Sequence, residues 1–581
     1  MLSLIKKIKE YNIALWVDGD KIKMSFGEAS PAPELIDEIR ENKPQLIEFL
    51  SKHTIFSEAA FDHFNISDTS AETANAGQEN DIDAIFPATS LQQGLVFHFL
   101  SNPTDDAYRV QLIVDYRTKL DIDKYQEAWK CASLKYPILR TAFDWEEEIL
   151  QVITKKPGIT KANFSFRDLS DLTEDERELK IAEIQEEDRK VPFDLSRPGL
   201  IRFTILKLEE ALFTVVRTEH HSISDGWSGG FLLHTVHQFY NALIRGEKPV
   251  IEVETAYLDA QKYYLEANKN ITSFWEKSKA EFELANDVNM LFNHRINLDQ
   301  QKSVEHPGEL SVQFEGNGYS QLKDTCRNLG VTLNVAVQFA WHLLLQRYTR
   351  DEQTIVGTTV SGRDIPVPEI ETSVGLYTNT LPLAVNWKKD ASIREMLHEV
   401  QEKSAALNSY SSVSLASLQK HGDRLFHSIC AYLNYPDVVS DATDQKGIEY
   451  TISLRKAVEK VDYPVMLRAH DSGQRLLLEL KYGKNWIGEE RAAALLEQVQ
   501  FILNAVGTNP EQTTDQVSLI NDAQREILLQ KWNQTDVFYP FERTLQELFE
   551  QQVIANNDKV AVVHGKSSLT YGELNARANR L

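Results

Sequence analysis

The stretch of this chain best suited to chemistry is residues 218–228, which read TEHHSISDGWS. It contains two adjacent histidines, His220 and His221, followed by Asp225 and Gly226. A histidine can accept or donate a proton near neutral pH, and a nearby carboxylate can fix the backbone around it. The types and spacing are therefore typical of a proton-transfer site, although a bare His-x-x-x-Asp pair also arises by chance in long chains.

The elements on either side of this run must position it. Residues 211–216 (ALFTVV) form an apolar run that predicts a buried strand, and the apolar spacing after Gly230 predicts the opening of a helix. The histidines would then lie at an elbow between strand and helix. From such an elbow, His221 can direct one ring nitrogen into a cleft.

The composition excludes several classes of function. A chain of 581 residues with 42% hydrophobic content should form more than one domain. The net charge of -24 argues against binding of nucleic acid, which needs a basic surface. Three distant cysteines, Cys131, Cys326 and Cys430, predict neither a disulfide framework nor a metal site. With no signal peptide and no long apolar run, we expect a soluble, cytoplasmic protein without membrane contact.

Residues 1–55 have the pattern of a small αββαα module, with a hairpin signal at residues 18–20. This order resembles the N-terminal docking domains of some peptide synthetase subunits, which bind the C-terminal peptide of the preceding enzyme as an added strand. The resemblance assigns the docking contacts to Trp16, Lys21 and Lys23, and the lysines suit an acidic peptide. The alternative is a solvated hairpin whose lysines guard a sheet edge against aggregation.

Five motifs, the histidine run among them, resemble those of the condensation domains of nonribosomal peptide synthetases and occur in the same order along the chain. The motifs are residues 86–98 (FPATSLQQGLVFH), 136–143 (YPILRTAF), the histidine run, 257–259 (YLD, a looser match) and 374–382 (VGLYTNTLP). The resemblance implies an α/β (α+β) fold with two lobes, each similar to chloramphenicol acetyltransferase, arranged in a V around a central tunnel.

The implied domains follow each other along the chain. They are 1–55 for docking, 56–82 for a flexible linker, 83–255 for the N-lobe, 256–510 for the C-lobe, 511–540 for a second linker and 541–581 for the start of an adenylation domain. This last segment lacks the phosphate-binding loop, so ATP and Mg²⁺ would serve only the missing part of that domain. We therefore expect the chain to be a fragment of a longer synthetase.

The resemblance also implies the reaction and its partners. An aminoacyl thioester on a downstream carrier protein attacks a peptidyl thioester on an upstream carrier, and both are held on phosphopantetheine arms. The chain itself would bind no cofactor. Residues 91–98 and 379–382 look more like members whose donor ends in a D-residue. The upstream enzyme would then supply both the donor and the docking peptide.

The resemblance gives His221 the central role, either as acceptor of the amine proton or as a positioning group, and the sequence leaves both open. If His221 must be neutral, falling pH should slow the step. Asp225 is expected to shape the loop and to pair with an arginine. The best candidate is Arg363 at a predicted strand end, and Arg140 and Arg217 are the alternatives.

Four other residues receive supporting roles. His220 is expected to pack inward and to form structural hydrogen bonds. The amide of Gly226 could face the oxyanion, since glycine lets the backbone approach closely. Trp227 and Asn379 are expected to line the tunnel, and the alternative for Asn379 is a side chain that stabilises a turn.

Two rival functions remain open at this level. An epimerisation domain shares the HHxxxDG string but removes an α-proton, and it normally follows a carrier domain. A catalytically silent scaffold that only orders carrier domains would also keep the fold. A cyclising variant is disfavoured, because that group replaces the paired histidines with an aspartate-based string.

Overall fold

The structure of the protein is a computed structural model. The described residues are 13–18, 21–26, 33–43, 46, 82–102, 105–145, 148–282, 284–298, 304, 306–419, 424–433, 452–460, 463–539 and 541–581. The chain divides into two compact units, Met1–Leu519 and Ile520–Leu581.

The first described elements are a hairpin and a helix. Strands β1 (Ile13–Asp18) and β2 (Lys21–Phe26) pair antiparallel, with Trp16 opposite Lys23. Helix α1 (Pro33–Glu41) follows, with Leu35 and Ile39 buried. The predicted hairpin and the helix after it are confirmed. The predicted first helix, nearly all of the third and the linker before Ile82 lie outside the described residues.

The N-lobe contains two sheets flanked by helices. Its strands are β3 (Ile82–Pro87), β4 (Arg109–Tyr116), β5 (Thr141–Asp144), β6 (Leu150–Thr154), β7 (Phe164–Asp168), β8 (Ile201–Glu209) and β9 (Leu212–His220). Its helices are α2 (Ser90–Ser101), α3 (Ile122–Lys135), α4 (Glu174–Lys190) and α5 (Gly226–Ile244). Buried positions alternate along most of β4, as expected for a strand with one face in the core.

The C-lobe is built around one six-stranded sheet. Its helices are α6 (Ala256–Glu281), α7 (Gly316–Leu329), α8 (Leu333–Thr349), α9 (Ile393–Ser409), α10 (Leu415–Leu418) and α11 (Glu489–Thr508). Its strands are β10 (Pro307–Glu315), β11 (Gln353–Val360), β12 (Asn379–Asn386), β13 (Ser428–Leu433), β14 (Ile452–Val458), β15 (Val465–Asp471) and β16 (Arg475–Gly483). All except β14 join the sheet, in the order β10-β16-β15-β13-β11-β12.

Two C-lobe segments cross into the N-lobe. Strand β14 pairs antiparallel with β4 and completes the N-lobe sheet, whose order is β14-β4-β9-β8-β7. The connection between β11 and β12 packs Val367, Ile370, Val374 and Tyr377 into the N-lobe core. The lobes therefore exchange segments, and no single cut in the chain separates them.

Helix α6, at the predicted lobe boundary, also contributes residues to both lobes. Its first residues, including Tyr257 and Ala260, belong to the N-lobe core, whereas Ile271 and Trp275 belong to the C-lobe core. The C-lobe core also includes Val517, which lies beyond the predicted end of this lobe at residue 510. A helix of this length can pass from one core to the next, which an apolar pattern alone does not reveal.

The second unit contains α12 (Asp522–Leu529), α13 (Leu545–Asn556), the antiparallel hairpin β17 (Val560–His564) and β18 (Ser567–Thr570), and α14 (Tyr571–Ala578). The described short 3₁₀ helices of the chain are Pro137–Arg140, Lys161–Asn163, Val288–Leu291, Thr514–Gln516 and Lys531–Asn533.

A search of the described residues found no single helix long and apolar enough to cross a membrane. Helices α7 and α8 are together long and apolar enough to do so, but their axes bend by 105° at the break between them.

Candidate active site

The histidine run lies at the junction between β9 and α5. The strand ends at His220 and the helix begins at Gly226, so the predicted helix start at Gly230 is four residues late. Asp225 explains the difference, because its side chain accepts a hydrogen bond from the Ser228 amide and caps the first turn. The histidine loop, residues 221–225, is therefore short and held at its far end by a helix cap.

The tautomer of His221 follows from its hydrogen bond. Its Nδ1 lies 2.8 Å from the carbonyl oxygen of Ser224, which can only accept, so Nδ1 carries the proton. In the neutral imidazole, Nε2 then holds the lone pair. The backbone amide of His221 donates to the Tyr108 carbonyl at 2.8 Å, and the side chain stays 23% exposed. His221 is thus held through its backbone amide and through ring Nδ1, and Nε2 is left as a proton-accepting nitrogen.

His220 faces the other way. Its side chain is buried, with the rings of Phe99 and Phe193 edge-on to it, and its Nδ1 accepts from the Ser222 amide at 3.3 Å. Burial, with a smaller effect of the neighbouring His221 and Arg109 charges, lowers the pKa of His220 to about 3. His220 therefore stays neutral at physiological pH, as the inward-packing expectation requires.

Asp225 forms a buried ion pair with Arg363. The side chains are 1% and 3% exposed, and Arg363 donates from Nη1 to Oδ2 at 2.8 Å and from Nη2 to Oδ1 at 3.3 Å. The amide of Tyr377 also donates to Oδ2, at 3.1 Å. Burial alone would raise the pKa of Asp225, but Arg363 and the hydrogen bonds from Ser228 outweigh it and lower this pKa. The carboxylate is therefore charged and fully partnered.

Arg363 is itself fixed on several sides. Its Nη2 donates to the Ser373 carbonyl at 3.2 Å, and its guanidinium lies 4.4 Å from the ring centre of Tyr377. Gly362 precedes it with φ +65°, and a Cβ there would lie 1.9 Å from the Tyr377 carbonyl oxygen. Only glycine fits this turn, which directs the arginine toward the N-lobe.

The two alternative arginines have other partners. Arg140 lies 3.0 Å from Asp83, and Arg217 lies 3.2 Å from Glu219. Of the three candidate arginines, Arg363 is therefore the one that pairs with Asp225.

Gly226 and Trp227 open helix α5. Gly226 is exposed at the first helical position, where an amide has no acceptor within its own helix. Trp227 donates from Nε1 to the Glu371 carbonyl at 2.7 Å, and its ring centre lies 5.5 Å from the Arg363 guanidinium. The first amide is thus available to a ligand, whereas the Trp227 N–H is used in holding the β11–β12 connection.

Asn379 forms its hydrogen bonds with the backbone. It is 7% exposed, and its Nδ2 donates to the carbonyls of Ser411 and Val413 at 2.8 and 2.9 Å. Its Oδ1 accepts from the Thr380 amide at 2.9 Å. Both amide hydrogens are thus used by backbone carbonyls, which favours the alternative role of Asn379 as a side chain that stabilises a turn.

Several residues near His221 were missed by the sequence reasoning. Gln92, buried within the opening motif, donates to the Ser222 carbonyl at 3.1 Å and so holds the loop. Ser224 donates from its hydroxyl to Glu219 at 2.6 Å. Both residues lie inside the motifs, and this location was the sequence signal that could have identified them. Glu459 lies 3.6 Å from His221 Nε2 and belongs to no motif.

No group of three or more His, Cys, Asp or Glu side chains that could hold a metal ion was found in the part of the chain that the structure describes. The residues predicted to contact a docking peptide, Trp16, Lys21 and Lys23, lie on the β1–β2 hairpin.

Comparison with known proteins identifies this arrangement. The condensation domain family matches residues 82–529, more than half of the chain. The chain belongs to the condensation domain family. The TubC N-terminal docking domain family matches residues 2–52.

Relatives agree with this assignment. The chain is 33% identical over 513 residues to an N-(5-amino-5-carboxypentanoyl)-L-cysteinyl-D-valine synthase of Penicillium rubens, covering 86% of the chain and 14% of that protein. It is 27% identical over 512 residues to bacitracin synthase 3 of Bacillus licheniformis, covering 86% of the chain and 8% of that protein. The chain thus spans a small part of the length of these relatives.

A solved structure supports the fold. A four-domain nonribosomal peptide synthetase bound to AMP and glycine superposes with a TM-score of 0.64, at 19% identity, covering 86% of this chain and 38% of that one. The predicted two-lobed α/β fold and the predicted family, a docking domain with a condensation domain, are confirmed. The enzyme class, an amide-forming acyltransferase, is confirmed at the level of the family.

The buried ion pair generates the first prediction. Arg363→Met should lower the free energy of unfolding of the condensation domain by about 3–5 kcal/mol, because Asp225 would remain buried without its partner. The double variant Asp225→Asn/Arg363→Met should recover part of this loss. Because the pair lowers the pKa of Asp225, the effect should be full at pH 7 and should shrink on acidification below the ordinary carboxyl range. Urea unfolding followed by fluorescence measures both.

The control is the surface pair Arg295–Asp287, whose side chains are 79% and 54% exposed. Arg295→Met should cost less than about 1 kcal/mol. If the double variant is no more stable than Arg363→Met, the unpaired buried carboxylate is not the source of the loss.

Proposed function

We propose that this chain forms a peptide bond between a peptidyl thioester on an upstream carrier and an aminoacyl thioester on a downstream carrier. Membership of the condensation domain family supports the reaction class. The observation that carries the proposal for this chain is the His221–Ser224 hydrogen bond, which leaves Nε2 as a fixed proton acceptor on a part-exposed ring.

The proposed step conserves atoms and charge. The acceptor amine attacks the donor thioester carbonyl, and its nitrogen gives one proton to His221 Nε2. A carbon–nitrogen bond forms, and the carbonyl oxygen becomes an oxyanion beside the Gly226 amide. The carbon–sulfur bond then breaks, and the proton returns from His221 to the leaving thiolate. The products are an amide and a free thiol.

The demand on His221 as a base is modest. An α-amino group has a reference pKa of about 7.7–8.0, so a useful fraction is neutral near pH 7. Positioning and stabilisation of the oxyanion then contribute as much as proton removal. In this mechanism Arg363 and Asp225 act by holding the loop, and Trp227 acts by holding the β11–β12 connection.

The substrates and the setting complete the proposal. Both acyl groups arrive on phosphopantetheine arms of carrier proteins, and the chain binds no cofactor of its own. Residues 541–581 form the start of an adenylation domain, for which the β17–β18 hairpin followed by α14 is the support. The proposed setting is the cytoplasm, in line with the acidic composition of the sequence.

We further propose that the donor ends in a D-residue. The support is the sequence of two motifs, residues 91–98 and 379–382. The first lies close to the reacting groups, because Gln92 bonds to the histidine loop and helix α2 carries Phe99 against His220.

The N-terminal module is proposed to bind the C-terminal peptide of an upstream synthetase. The support is the match to a docking family and the two-stranded β1–β2 sheet, to which a peptide can add as a third strand. Lys21 and Lys23, at alternate positions of β2, would favour an acidic peptide, and Trp16 lies opposite Lys23.

Replacement of His221 tests the reaction. His221→Ala should lower the rate of dipeptide formation between two loaded carriers by about 100-fold or more, because the proton acceptor is lost. The exposed imidazole of His294 provides the control, and His294→Ala should react like the wild type. Unchanged product with His221→Ala would favour a silent scaffold. Exchange of the donor α-proton with D₂O without amide formation would favour an epimerisation domain.

Matched donors test the stereochemistry. Peptidyl thioesters that differ only in a D- or L-configured last residue should react at rates that differ by about tenfold or more in favour of D. The rates are measured by mass spectrometry of the amide product with one common acceptor. Equal rates would contradict the D-donor proposal and leave the reaction class intact.

Truncation tests docking. Deletion of residues 1–56 should reduce condensation with the upstream enzyme at sub-micromolar concentration, because tethering no longer raises the local concentration of the donor carrier. The same deletion should leave condensation unchanged when carriers are supplied in large excess. Unchanged rates at low concentration would show that the module has another purpose.

A further inference from the structure

The feature behind this inference is a carboxylate beside the free nitrogen of His221. Glu459 directly follows β14, the C-lobe strand that joins the N-lobe sheet. Its Oε1 lies 3.6 Å from His221 Nε2, and its side chain is 38% exposed. Strand exchange between the lobes therefore brings a carboxylate to the atom that must accept a proton.

The geometry of this contact calls for a donor between the two groups. Nδ1 of His221 donates to Ser224, so neutral His221 presents a lone pair at Nε2. A carboxylate is also an acceptor, and 3.6 Å is longer than an N–H···O hydrogen bond. Two acceptors at this separation suit a group that donates a hydrogen bond to each of them. An ammonium or amine nitrogen has the required donors.

Glu459 lies beside a row of charged side chains on the C-lobe sheet. Arg468 lies 3.7 Å from Glu459 Oε2 and 2.6 Å from Glu479. Arg468 and Glu479 are opposite each other in the β15–β16 register, and Lys481 follows two positions along β16. The leucines beside them, such as Leu467 and Leu480, belong to the core on the other face. Arg468 thus attracts Oε2 of Glu459 electrostatically, while Oε1 faces His221.

The reaction chemistry requires two proton acceptors. An α-ammonium group must lose one proton to become a nucleophilic amine and a second one to become an amide nitrogen. His221 Nε2 takes the second proton in the proposed mechanism. A part-exposed carboxylate can hold the ammonium form while its first proton passes to water.

We propose that Glu459 binds the α-ammonium group of the acceptor substrate and holds it against His221 Nε2. This inference rests on the proposed condensation activity, and it names the residue that recognises the nucleophile of that reaction, the acceptor amine. The chemical class recognised is a primary ammonium next to a carbonyl. An acceptor without the amine would lose both contacts.

Binding without reaction provides the test. The probe is an aminoacyl group joined to pantetheine through an amide, compared with the same probe lacking its α-amine, in isothermal titration calorimetry with no donor present. The wild type should bind the amine-bearing probe about tenfold more tightly, as expected for a charge-assisted contact at a part-exposed site. Glu459→Gln should lose this preference, and Glu459→Asp should retain part of it.

A matched control is Glu402→Gln, which removes an exposed carboxylate from helix α9 and should keep the full preference. Thermal unfolding of each variant checks the fold. In the condensation assay, Glu459→Gln should raise the KM for the acceptor about tenfold and leave the KM for the donor unchanged.

The outcomes separate this inference from the proposed function. If Glu459→Gln keeps the amine preference and the acceptor KM while the wild type forms amide, the inference is wrong and the function stands. If the wild type forms no amide yet shows a Glu459-dependent amine preference, the binding assignment stands and the function is wrong. A lower melting temperature with unchanged preference would give Glu459 a structural role and overturn the inference.

Discussion

The Asp225–Arg363 ion pair is the constraint on which the site depends. Its two charges come from different lobes and are almost fully buried, so each would be costly without the other. The same carboxylate accepts from the Ser228 and Tyr377 amides, which joins the cap of α5 to the β11–β12 connection. The same ion pair therefore both positions the histidine loop and joins the two lobes.

The histidine loop is anchored at both ends. The amide of His221 is tied to Tyr108, and Asp225 is tied to Arg363, so only residues 222–224 remain between fixed points. The two histidines differ in burial and therefore in their chemistry. His220, with a pKa of about 3, stays neutral and structural, while His221 keeps a part-exposed ring with one nitrogen committed to Ser224. Adjacent identical residues thus acquire different roles from their surroundings alone.

The sequence predicted the site correctly where the candidate functional residues and the elements that position them lie in one short segment. The run containing His221 and Asp225 predicted the elbow, and Arg363 was identifiable because it lies at a predicted strand end, directly after a glycine. The helix start was misplaced, since the apolar pattern of α5 begins after its cap. For Asn379 the sequence left two roles open, because a motif position does not show whether its amide points to backbone or to ligand, and both amide hydrogens bond to backbone carbonyls.

Residues brought together by strand exchange could not be predicted. Glu459 reaches His221 only because β14 leaves the C-lobe and pairs with β4. No residue of β14 is buried, so its sequence does not show which sheet it joins. The consequence is functional as well as structural. The acceptor nitrogen His221 Nε2 belongs to one lobe and the carboxylate beside it to the other. Any movement between the lobes must either carry β14 along with β4 or change the separation of these two groups, so the spacing that suits an amine depends on the crossing strand staying paired.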